Sequence, residues 1–146
     1  MVTIDENAPV VVRLSIEIDA PVMTVWALHT DIAAWPAWNA DIEKAVPDGP
    51  LRPGSSFSWR THGLEITSTV RELVPGERIV WGGPSGGITG IHVWTFEESD
   101  GRVVVRTEES WSGAPVEAAT AELGRALHVS LENWLGHLKA RAEQLA

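Results

Sequence analysis

The run from Val10 to Ile18 alternates from Val12 onward, with Val12, Leu14, Ile16 and Ile18 on one side and Arg13, Ser15 and Glu17 on the other. A period of two predicts a half-buried strand. Asp19-Ala20-Pro21 then reads as a helix start, with Asp19 as N-cap and Pro21 in the first turn. The helix is expected over Val22 to about His29, followed by a second short helical piece, Asp31–Trp35, that Pro36 stops. Asp41–Val46 is a short strand, after which Pro47, Gly49, Pro50, Pro53 and Gly54 break the pattern. Four more strands are expected at Ser55–His62, Leu64–Val74, Arg78–Gly82 and Thr89–Glu98, with the glycine-rich Gly82–Gly87 read as a flexible loop. Ser99-Asp100-Gly101 is a hairpin turn into a last strand, Arg102–Trp111. The period then changes. Leu123, Leu127, Leu131, Trp134, Leu138 and Ala142 recur every three or four residues, the stripe of one long helix from about Pro115 to Leu145.

The elements together predict an α+β domain over residues 1–146, with 1–9 as a flexible N-terminus. Seven strands must bury their apolar faces against that long closing helix.

Alternation also assigns the faces. On the last strand Arg102, Arg106, Glu108 and Ser110 belong to solvent, which turns Val103, Val105, Thr107, Glu109 and Trp111 inward. On its neighbour His92, Trp94 and Phe96 face in, as do Phe57, Trp59 and Thr61, then Leu64, Ile66, Ser68 and Val70, then Ile79 and Trp81. Two of these inward residues are ionisable, His92 and Glu109. Pairing Glu97 with Arg102 across the hairpin sets His92 opposite Thr107 and diagonal to Glu109, a span of roughly 7–8 Å. A facing-compatible slip would set His92 and Glu109 directly opposite. An acid beside an imidazole is the arrangement that orients a general base; the alternative is that Glu109 only accepts indole or backbone N–H bonds.

Composition sharpens the interior. The chain has eight tryptophans and no tyrosine, and each buried indole brings roughly 150–250 Å² of surface and one N–H donor. So many indoles suggest either an unusually aromatic core or an aromatic-walled pocket, a ligand-sized one being roughly 300–1,000 Å³. Its expected lining is Trp59, Trp81, Trp94, Phe57, Ser68, His92, Thr107, Glu109, Leu127 and Leu131, with Trp35, Trp38 and the Gly82–Gly87 loop near the entrance.

Net charge is −9, from 20 acids against 11 bases, which argues against a nucleic-acid partner or an anionic membrane surface. No apolar run is long enough for membrane insertion, and the acidic N-terminus does not read as a secretory signal. With no cysteine, disulfides and thiolate chemistry are absent, and a cytoplasmic location is the expectation. The five histidines show no metal-binding spacing, so no metal and no cofactor is expected. A homodimer is possible but nothing indicates one.

The element order and several local runs resemble one superfamily. The runs are Ile18-Asp19-Ala20-Pro21 leading to Val25-Trp26, Asp31-Ile32 with Trp35-Pro36 and Trp38-Asn39, Pro75-Gly76-Glu77-Arg78-Ile79, His92-Val93-Trp94-Thr95-Phe96-Glu97, and Trp134-Leu135 with Leu138-Lys139 and Glu143. From about Val10 to Leu145 the chain resembles the START-like, Bet v 1-like (SRPBCC) superfamily, the polyketide cyclase/dehydrase and lipid-transport group. The resemblance implies a helix-grip, a curved seven-stranded antiparallel sheet wrapped around a long C-terminal helix with a cavity between sheet and helix. For function it leaves three readings open. The first is a protein binding a hydrophobic or aromatic small molecule in that cavity. The second is a polyketide aromatase/cyclase-type enzyme using Glu109 and His92. The third is an Hsp90-activator-like interaction domain.

Overall fold

The computed structural model describes residues 1–146. Strands β1 (Val10–Ile18), β2 (Ile42–Pro47), β3 (Ser56–Thr61), β4 (Leu64–Val74), β5 (Arg78–Ser85), β6 (Ile88–Ser99) and β7 (Arg102–Ser112) form one sheet in the order β1-β7-β6-β5-β4-β3-β2. Every neighbouring pair is antiparallel. Between β1 and β2 lie α1 (Val22–Thr30), one 3-10 turn (Ile32–Ala34) and α2 (Trp35–Trp38). After β7 come α3 (Ala114–Ala118) and α4 (Thr120–Leu145). This is the helix-grip expected from the sequence. Leu127, Leu131, Trp134, Leu135, Leu138 and Ala142 of α4 are buried against the inner sheet face, α1 and α2, in a single core cluster of 27 residues. No helix is long and apolar enough to cross a membrane.

Several local expectations need correction. Pro36 does not stop the second helix but sits in the first turn of α2, where its missing N–H has no intrahelical partner to lose. Asp19 does not cap α1; its backbone N–H donates to Glu143 of α4 at 2.9 Å, and no side chain caps that helix. The closing helix is broken at Ala119, whose φ of −146° and ψ of 42° are not helical. Gly82–Gly87 is not a flexible loop. β5 and β6 pair as far as Ser85 and Ile88, and Gly86-Gly87, with φ of 59° and 83°, make the tight two-residue turn between them. Leu64, expected inside, is 62% exposed at the tip of the β3–β4 hairpin.

The N-terminus also differs from expectation. Ile4 is buried against Val80 and Val93 on the outer sheet face, with Val2, Val11 and Ile91 around them. Val2 donates its N–H to Glu72 at 2.7 Å and accepts from Arg78, and Asp5 N–H donates to Ser110 Oγ at 3.0 Å. Ser110, assigned to solvent by alternation, is therefore buried beneath this arm. Strand parity names a face but not what covers it.

The β5–β6 turn is held against the start of α3. Gly113 has φ of 122°, and a Cβ there would lie 2.2 Å from the carbonyl oxygen of Gly87. Gly113→Ala is expected to cost about 1–3 kcal/mol from backbone conformation alone, with the clash added. Urea denaturation of the variant checks this, and an unchanged midpoint would contradict the close approach.

Candidate functional site

The register places the two inward ionisable residues in one row across the sheet. Val12, Glu109, His92, Trp81 and Val70 are successive partners on β1, β7, β6, β5 and β4. The β6–β7 pairing runs from Ser99↔Arg102, not from Glu97↔Arg102 as first expected. The tight turn at Asp100-Gly101 takes only two residues, Asp100 having φ of 53° and Gly101 of 78°. His92 and Glu109 are thus directly opposed, and the next row sets Thr107 beside Trp94.

The contacts follow from that register. His92 Nε2 lies 2.7 Å from Thr107 Oγ1, and His92 Nδ1 lies 3.2 Å from Glu109 Oε1 without lining up as a hydrogen bond. The indole N–H of Trp111 donates to Glu109 Oε2 at 2.8 Å. His92 and Thr107 are buried, and 14% of the Glu109 side chain stays exposed. Burial pushes the Glu109 carboxyl up to about 8, with the Trp111 hydrogen bond opposing the shift. Burial, and then the proximity of His29, holds the His92 imidazole well below its usual range. At neutral pH a neutral imidazole thus lies between the Thr107 hydroxyl of the next row and a largely protonated Glu109 carboxyl.

Around this row the aromatic rings meet. Trp134 of α4 lies at the centre, its ring 5.2 Å from Trp35, 5.3 Å from Trp94, 5.7 Å from Trp59 and from His92, and 6.1 Å from Trp81. Phe57 packs on Trp35 and Trp81, and Trp59 donates its N–H to Ser68 Oγ at 3.1 Å. Leu127 and Leu131 are buried in the same core cluster. The expected open cavity is therefore not seen as such, because the indoles touch one another across the space it was to occupy. Two pockets lie instead on the flanks of α4. One, of about 590 Å³, is a groove between Pro9–Arg13 and Thr120–His128; the other, of about 420 Å³, separates His62 from Arg125–Asn133. Trp35 and Trp38, expected near an entrance, are buried, and Trp35 donates its N–H to the His29 carbonyl at 2.8 Å.

His29 was missed from the sequence. It is fully buried, 4.2 Å from the Trp94 ring and 5.7 Å from Phe96, and burial lowers its pKa to about 3. Its position was legible, since Val25, Trp26 and His29 share one face at helical spacing. Neither nitrogen of His29 has a hydrogen-bond partner within the protein, and neither do the indole N–H groups of Trp38, Trp81, Trp94 and Trp134. Buried donors are nearly always paired, and each unpaired one costs about 1–3 kcal/mol. Apart from that of Trp38, these groups gather on rings in contact, His29 and Trp81 each meeting Trp134 at 6.1 Å and Trp94 meeting it at 5.3 Å.

Known structures share the architecture. A protein of Helicobacter pylori described as hypothetical superposes with a TM-score of 0.83 at 20% identity, covering 97% of each chain. A START superfamily protein from Mycobacterium smegmatis gives 0.77 at 15% identity, over 93% of this chain and 99% of that one. An aromatase/cyclase from a Streptomyces species gives 0.78 at 16% identity, over 92% and 93%. At such identities these likenesses speak for the fold alone. No curated protein matches the chain. The family model described as polyketide cyclase/dehydrase and lipid transport matches residues 9–143, from the start of the sheet to the last turn of α4, and the chain belongs to that family.

Proposed function

We propose that the protein binds a small hydrophobic or aromatic molecule between the inner sheet face and α4. The observation that carries this reading is the cluster of unpartnered polar groups inside the aromatic core. A core evolved only for packing has no use for indole N–H donors and an imidazole without acceptors, because phenylalanine and leucine would fill the same volume at no desolvation cost. A ligand that enters by parting the rings gains their faces as walls and their N–H edges as hydrogen-bond donors. Membership of a cyclase and lipid-transport family supports the same reading. His92, Glu109 and Thr107 form the polar strip along one side of the bound molecule.

The test is a titration of the purified protein with the uncharged dye N-phenyl-1-naphthylamine, alongside native mass spectrometry of freshly isolated material. Saturable 1:1 quenching of tryptophan emission with a matching rise in dye emission is expected. Emission that falls only linearly with dye, with no adduct in the mass spectrum, would overturn the reading.

A further inference from the structure

The chemistry of the unpartnered groups narrows the class of molecule. Resting on the interior-binding reading above, we infer that the site selects an uncharged aromatic molecule carrying hydrogen-bond acceptors, such as a ketone or quinone oxygen, and discriminates against carboxylates of the same shape.

The argument begins with what the interior offers. Trp81, Trp94 and Trp134 each present a buried indole N–H with no acceptor in the protein. An indole nitrogen donates and cannot accept. These three rings contact one another or a shared neighbour, with Trp94–Trp134 at 5.3 Å, Trp81–Trp134 at 6.1 Å and Trp81–His92 at 4.6 Å. A molecule parting them would therefore meet several donors and would be held best by acceptors. A purely hydrocarbon ligand would leave those donors as unsatisfied as before.

Charge supplies the second constraint. Neither Arg nor Lys is among the buried residues, so an anion brought inside would find no counter-charge. The one interior acid, Glu109, would repel it once ionised, and His29 and His92 both resist protonation in this setting. Burying an uncompensated carboxylate costs far more than indole hydrogen bonds return. A ketone oxygen carries the same acceptor geometry without that cost.

Three probes of similar shape test the inference on the intact chain at pH 7: 2-acetylnaphthalene, 2-ethylnaphthalene and 2-naphthoate. Tryptophan fluorescence and calorimetry are expected to rank the ketone at least about tenfold tighter than the ethyl compound, a gap of about 1.4 kcal/mol. The naphthoate should bind at least about tenfold weaker than the ketone. The ketone is the better hydrated of the two neutral probes, so a preference for it requires donors inside. Equal affinity for the ketone and ethyl probes, or naphthoate binding as tightly as the ketone, overturns the inference and leaves interior binding standing. If none of the three binds, the interior-binding reading itself fails. Trp81→Phe, Trp94→Phe and Trp134→Phe add a second measurement. At least one should lower the ketone-to-ethyl affinity ratio; no change in that ratio in any of them contradicts the donor role.

Discussion

Replacing Trp134 by alanine is expected to remove about 3–5 kcal/mol of folding stability, the range for emptying a large aromatic from a packed interior. The residue projects from the middle of α4 into the sheet and meets Trp35, Trp59, Trp81, Trp94, His29 and His92 at ring separations of 5.2 to 6.1 Å. No neighbour can collapse into the space without breaking its own contacts, so the cavity term adds to the lost transfer energy. Domains of this kind are stable by only about 5–15 kcal/mol, so the variant should unfold at a much lower urea concentration. Trp134→Phe keeps an aromatic ring and removes one unpaired buried N–H, and its cost should be clearly smaller. A loss below about 1 kcal/mol for the alanine variant would mean that α4 does not clamp the indoles as described.

The second large effect is on pH dependence, where three buried groups act in opposite directions. His29, lowered from 6.5 to about 3, and His92, lowered in the same sense, bind fewer protons in the folded chain than in the unfolded one. Their contribution is complete above pH 6.5 and is lost as pH falls toward their folded values. Glu109, raised from 4.5 to about 8, binds more protons in the folded chain. Its contribution is complete below pH 4.5 and is lost as pH rises through 8. Between pH 4.5 and 6.5 two histidines outweigh one carboxyl and stability rises; above 6.5 only the carboxyl acts and stability falls. The expected profile peaks near pH 6.5 and drops by about 2 kcal/mol by pH 8, at about 1.4 kcal/mol per unit. Glu109→Gln should abolish that falling limb and keep the acid limb. Urea titrations across the pH range measure both, and a falling limb that survives in Glu109→Gln would assign it to another group.

The sequence by itself determined the order of elements, the inward parity of His92, Trp94, Thr107 and Glu109, and the apolar stripe of α4. Those features are local, because periods of two and 3.6 are written residue by residue and need no knowledge of neighbours. The resemblance of the early runs and of the closing helix to one superfamily carried the helix-grip. What only the tertiary structure decided depends on partners distant in sequence. Whether His92 lies directly opposite Glu109 or opposite Thr107 turns on a two-residue shift in one hairpin, which side-chain parity cannot distinguish because both registers keep the same faces. Ser110 is covered by an arm about a hundred residues away, and no alternation pattern records what lies above a strand. Whether the indoles leave a cavity or close on one another depends on how five of them, Trp35, Trp59, Trp81, Trp94 and Trp134 from α2, β3, β5, β6 and α4, interlock. Packing at that density is a property of the assembled volume, and the chain acquires it only when the helix lies in the sheet.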